Sequence, residues 1–239
     1  MRQILTPIVL VLLAVVLWRT VPMTAPEEIS AIGRHFVEHG VAENRGANIV
    51  TSVIVNYRGL DTLGEVSVLF LSVAGAGFIL RRRTGLTLET PTPASELVET
   101  GARLLFGPIV LFGAYIFAHG HLTPGGGFQG GAVVASAVLL LLLAERDRAL
   151  AHNALGWIES LSGFLYVLVG LIGLALAGSF LSNKGILPLG AWNSLFSAGL
   201  IPVIYMLVGL KVGSELAALI DTMMHSGEPA ATETEEARP

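Results

Sequence analysis

Six apolar runs divide the chain, at about residues 3–18, 62–80, 102–119, 129–144, 157–178 and 193–215. A membrane-spanning helix needs roughly 17–25 apolar residues. The pattern therefore predicts an all-α integral membrane protein with about six transmembrane helices. The run at 129–144 is short and begins inside "HGHLTPGGGFQGG", residues 119–131, so a glycine-rich break is expected between the third and fourth helices. The first run ends at Trp18, a plausible interface anchor. It resembles a signal peptide in length, but Arg2 is its only basic residue and Pro26 follows the one weak small-residue site. It is read as a retained helix.

The polar segments add detail. Residues 24–40 read as a short helix capped by Thr24, with Pro26, Glu27 and Glu28 in its first turn and Gly40 at its end. Ile29, Ile32 and Phe36 would share one face. Residues 48–57, "NIVTSVIVNY", are β-branched and fit either a strand or a helix leading into the second span. Residues 84–97 are a Thr/Pro-rich linker, and the acidic tail 226–239 has the composition of a disordered segment. The expected organisation is a two-span module at 1–83, the linker, a four-span module at 98–225, and the tail.

Composition agrees: 53% of residues are hydrophobic and 13% charged, about half the charge of an ordinary soluble domain. A net charge of −4 gives no case for nucleic acid. Without cysteine there is no disulfide, thiolate nucleophile or cysteine-ligated cluster, and no cofactor is expected. Arg2, Arg81, Arg82, Arg83, Arg103, Arg146 and Arg148 fall on one side of the spans. Arg19, Arg34, Arg45, Arg58 and Lys184 fall on the other, mostly in one long loop diluted by acids. The positive-inside rule then puts both termini in the cytoplasm. The loop after the first span and the glycine-rich break would share the opposite side.

Ionisable residues within a bilayer are costly and usually functional. By these span limits none lies at mid-span. Glu65 is one turn inside the second span, Arg103 begins the third and Glu159 lies near the start of the fifth. Lys211 and Glu215 lie near the end of the sixth, spaced i, i+4 so that they can pair. Lys211 either snorkels to the interface or forms a proton or ion relay with Glu215. The lack of mid-span charge argues against a self-contained transporter and for an accessory chain in a larger complex. Small residues that let helices approach closely fit that reading: Gly209 and Gly213 in one helix, and Gly163, Gly170, Gly173 and Gly178 in another.

Two stretches go beyond composition. Residues 97–137 carry Gly120, His121, Pro124, Gly125, Gly126, Gly127, Phe128, Gly130 and Gly131 in a GH-x-x-PGGGF-x-GG run. This resembles the MnhB-type subunit of the multisubunit Mrp-type Na⁺/H⁺ antiporters and its counterpart in membrane-bound, energy-converting hydrogenases. Gln129 is closer to the hydrogenase-type wording. Residues 58–65, "RGLDTLGE", comprise Arg58, Gly59, Leu60, Asp61, Thr62, Leu63, Gly64 and Glu65. They resemble the C-terminal end of the large MrpA protein, a piece that forms a separate small subunit in hydrogenase-type complexes. The resemblance implies a fusion of the two modules. It also implies a non-catalytic subunit in the cell's plasma membrane. Its partners would be other Mrp-type subunits, including large antiporter-like ones, and a redox arm such as a hydrogenase.

The glycine run is read in two ways. It is a tight turn that lets two helices pack closely, or it lines a hydrated inlet in which His119, His121, Asp61 and Glu65 titrate. A metal is not expected, because two histidines lack a clear third ligand. For the whole chain, an ion-path role stands against a rival in which it is a purely structural assembly subunit.

Overall fold

The computed structural model describes residues 2–20, 29–81, 94–145, 147–148, 150–183 and 185–225. The expected Thr24 cap, Arg82, Arg83, most of the linker, Arg146, Lys184 and the acidic tail lie outside the described residues. Helices are the regular secondary structure of the described residues, with no strand among them. Five helices are long and apolar enough to cross a membrane, and a shorter apolar stretch lies at Thr6–Thr20.

The chain divides into two units, residues 1–36 and 37–239. The first contains α1 (Arg2–Thr20) and the start of α2 (Ala31–Asn44). The start of α2 is capped by Ser30, whose Oγ accepts from the Gly33 N–H at 3.1 Å. Gly40 does not end this helix, as the sequence suggested. It is buried inside it, and the helix runs on to Asn44. There Arg45 takes a left-handed φ of 55° and its N–H returns to the Val41 carbonyl at 2.8 Å, an ordinary helix stop.

The second unit continues with α3 (Ile49–Ser52), a π-helical turn at Val53–Tyr57, and α4 (Gly59–Arg81). The β-branched segment is thus helical, begun by Asn48, whose side chain accepts from the Thr51 N–H. Then come α5 (Glu96–Ala118), α6 (Gly127–Ala144), α7 (His152–Ala177) and α8 (Ile201–His225). Ser95 caps α5 through the Val98 N–H, and Gly178 ends α7 at a φ of 75°.

Helix α8 is the hub, packing on α4, α5, α6 and α7. Two glycine contacts set its neighbours. A Cβ on Gly130 would stand 2.5 Å from the Gly113 carbonyl oxygen, so α5 and α6 touch backbone to backbone. A Cβ on Gly131 would stand 2.8 Å from the Gly209 carbonyl oxygen, so α6 and α8 do the same. Close approach through small residues is how helices associate where lipid supplies no hydrophobic drive.

The last span differs from the sequence expectation of 193–215. Residues 193–200 form turns, with left-handed φ at Asn193, Ala198 and Gly199. Their apolar composition imitated a span start. The helix instead runs ten residues beyond Glu215 to His225, carrying the buried Asp221 within it. Lys211 is therefore ten residues from one end of α8 and fourteen from the other, or about 15 and 21 Å at about 1.5 Å per residue. Lys211 thus lies near the middle of α8, not one turn from its end as the sequence limits placed it.

Candidate functional site

Lys211 points into the helix bundle. Its side chain is only 11% exposed, and its Nζ lies 3.4 Å from Glu215 Oε2 and 3.6 Å from Glu159 Oε1 of α7. The ammonium also sits 5.1 Å from the centre of the Phe70 ring on α4, within cation–π range. Glu215 is fully buried, and neither carboxylate oxygen accepts a hydrogen bond. The spacing puts Lys211 and Glu215 on one face of α8, and α7 packed antiparallel brings Glu159 to them. A cleft of about 450 Å³ between α4 and α7 reaches this cluster, lined in part by Ser67, Phe70, Glu159, Gly163, Tyr166 and Lys211.

A second polar group ties the start of α7 to the end of α8. Asp221 is buried, with Oδ2 2.5 Å from His152 Nε2 and Oδ1 3.3 Å from His225 Nδ1. At the end of α6, Glu145 accepts from Arg103 Nε at 2.6 Å and Arg148 Nη1 at 2.9 Å. The two guanidinium groups, Arg103 first, hold the Glu145 carboxyl below the usual carboxylate range.

The glycine-rich break is covered by the chain itself. Asn48 Nδ2 donates to the carbonyls of Gly120 and Thr123 at 3.0 and 3.1 Å. Thr51 Oγ1 donates to Gly120 at 2.6 Å, and the Tyr205 hydroxyl donates to Thr51 at 3.2 Å. A Cβ on Gly127 would stand 2.9 Å from the Tyr205 carbonyl oxygen, so the start of α6 lies directly on α8. Around it, Asn44 accepts from Asn56 at 2.7 Å, while Asn183 accepts from the Leu200 N–H at 2.8 Å and gives its own N–H to Asn56 at 3.2 Å. Close by, Tyr57 donates to Glu43. Burial first, then that carboxylate, push the Tyr57 phenol up to about 12.

The four residues proposed for a common inlet are not joined. Asp61 is exposed and bound by Arg58, whose Nε lies 2.6 Å from Oδ2. Glu65 is exposed on α4. His119 caps α5 and stacks on Tyr115 at 4.1 Å. His121 alone is fully buried, and neither ring nitrogen makes a well-formed hydrogen bond, although the backbone of Ser194 and Leu195 is close to the ring. Burial drives its imidazole below the usual histidine value. Among the described residues no group of three or more His, Cys, Asp or Glu could hold a metal. Sequence reasoning named the three members of the Lys211 cluster but not their meeting. It missed Asn44, Asn48, Asn183 and Tyr205, whose only signal is polarity beside apolar runs.

The fold defines a multi-pass helical membrane protein. A family described as the domain related to the MnhB subunit of Na⁺/H⁺ antiporters matches residues 97–218, and the MbhE family of MBH subunits matches residues 4–96. The chain belongs to this MnhB-related family. A protein of Methanocaldococcus jannaschii is 32% identical over 193 residues, covering 69% of this chain and 72% of its own. Among solved structures, a chain of the membrane-bound sulfane sulfur reductase, an archaeal respiratory membrane complex, is similar with a TM-score of 0.76. It is 41% identical and covers 93% of this chain and 98% of its own. A chain of the Mrp complex from Dietzia sp. has a TM-score of 0.72 and 26% identity, covering 97% of this chain and 26% of its own.

Proposed function

We propose that this chain is a non-catalytic subunit of a Mrp-type cation/proton antiporter module, and that it contributes part of the ion path. The observation that carries this reading is the Glu159–Lys211–Glu215 cluster, with Lys211 near the middle of α8 and Glu215 fully buried. Burying charges costs several kcal/mol each, and ionisable groups at such depth usually mark ion or proton routes. The module sits in the plasma membrane with both chain termini in the cytoplasm. Its partners are other Mrp-type subunits, large antiporter-like ones included, and a redox arm such as a hydrogenase in complexes that have one. The exposed Glu65 on the membrane-spanning α4 needs cover from such a neighbour.

The test is coupled Na⁺/H⁺ exchange in vesicles, normalised to complex recovered on native gels. Glu215→Gln and Glu159→Gln should each assemble and lose most of the coupled exchange. Wild-type exchange by both variants would leave the chain as an assembly subunit without an ion path.

A further inference from the structure

We infer that the Glu159–Lys211–Glu215 cluster is a binding site for one exchangeable monovalent cation, with a proton and an alkali-metal ion as alternative occupants, reached through the cleft between α4 and α7. The inference rests on the ion-path reading and goes beyond it by naming the occupant and the exchange ratio.

Three observations support it. First, the charges do not balance. With all three side chains ionised, two carboxylates face one ammonium, leaving a net charge of −1 in the interior of the bundle. Among the described residues, nearby elements do not supply the missing charge. Helix α6 carries no ionisable side chain. On α7 the next ionisable group toward the cleft is Tyr166, whose hydroxyl donates to the Gly59 carbonyl at 3.1 Å. On α4 the cluster meets Phe70, while Asp61 and Glu65 are exposed carboxylates. On α5, Arg103 is taken by Glu145 and Glu99. On α8, Ser214 donates to Leu210 and Lys211 carbonyls, and Asp221 holds His152 and His225. One added positive charge balances the cluster, whereas a divalent ion would overshoot to +1.

Second, Glu215 is a fully buried carboxylate with neither oxygen hydrogen-bonded. Such a group is costly unless a cation or proton completes it. The Lys211 ammonium does not seal it. Its distances of 3.4 and 3.6 Å to the two carboxylates exceed the roughly 2.7–2.9 Å of a close charge-assisted hydrogen bond. The Phe70 face offers that ammonium a place to rest when another cation takes the carboxylate. Third, the cleft gives the cluster an opening at Glu159.

The exchange conserves atoms and charge: a protonated Glu215 carboxyl plus an alkali ion gives a carboxylate–ion pair plus one released proton. No bond other than O–H breaks, and no redox partner is needed.

The experiment uses the assembled complex purified in detergent. Na⁺ is added at constant ionic strength against choline chloride, with infrared difference spectra of the carboxyl stretch and a pH indicator. The expected result is loss of one protonated carboxyl and release of about one proton per copy of this chain. Glu215→Gln should abolish that part of the signal. Glu215→Asp should keep it, shifted to higher Na⁺, and it carries the test if the glutamine variant fails to assemble. Identical signals from wild type and Glu215→Gln would overturn the inference. If vesicle exchange is lost in that same variant, the ion-path reading survives alone. If the signal is lost while exchange is unchanged, the site stands and the ion-path reading falls.

Discussion

Lys211 and Glu215 stand one turn apart on α8, with Nζ 3.4 Å from Oε2 and the carboxylate wholly shielded from solvent. Lys211 is also the cation nearest Glu159, at 3.6 Å. Removing this one side chain would strand two carboxylates at once.

Lys211→Met should therefore destabilise the chain more than loss of packing alone. Breaking a buried pair by deleting one partner costs about 3–5 kcal/mol. The double variant Lys211→Met with Glu215→Gln should recover part of this, because it no longer buries an unpaired charge. Thermal melts of the purified complex check both, and equal melting temperatures for the single and double variants would contradict the pairing.

Gly130→Ala should impair folding, since its Cβ would meet the Gly113 carbonyl oxygen at 2.5 Å, and backbone cannot swing aside. Gly156→Ala on α7 is the contrast. No atom lies within 4 Å of its added Cβ, and alanine is favoured over glycine inside a helix by about 1 kcal/mol. The measurement is the yield of complex on native gels. Loss is expected for the first, and unchanged or higher yield for the second.

His121 gives a pH prediction. Burial lowers its folded-state value below the ordinary one, so the unfolded chain takes up the proton first as pH falls. The stability linked to neutral His121 is then fully present above about 6.5, the ordinary value, and declines below it. His121→Gln should flatten the fall in melting temperature between pH 7 and 5. A parallel fall in wild type and variant would remove His121 from the acid response.

Asn183→Ala should cost about 1–3 kcal/mol, the range for leaving a buried hydrogen-bond partner unsatisfied. It removes the acceptor of the Leu200 N–H at 2.8 Å, just before α8. Native-state hydrogen exchange should show faster exchange at Leu200 and in the first turn of α8, with the middle of that helix unchanged.

The spans were legible because a bilayer demands long apolar helices, and α4 to α7 lie within a few residues of the runs read from sequence. The last span was misplaced for a definite reason. Leu195 and Phe196 make a turn region look like membrane, and Asp221 makes the end of a helix look like loop. Only the third dimension reveals that Asp221 is buried between His152 and His225. The i, i+4 spacing of Lys211 and Glu215 was visible in one dimension. Their meeting with Glu159, about fifty residues earlier, depends on how α7 packs against α8, which no local pattern encodes. The glycine run was legible as close packing. Its covering by Asn48, Thr51 and Tyr205 was not, because single polar residues in apolar stretches carry no period.

The double backbone contact of α6 bears on motion. Gly130 rests on Gly113 of α5 and Gly131 on Gly209 of α8, with the room a side chain would need already taken on both flanks. Rolling any of these three helices about its own axis would drive Cα atoms into a neighbouring carbonyl. They form a stator. On the ion-path reading, shape change would fall instead to α4 and α7, which leave a cleft between them. The mobile half of the mechanism would then be the half that carries Phe70 and Glu159.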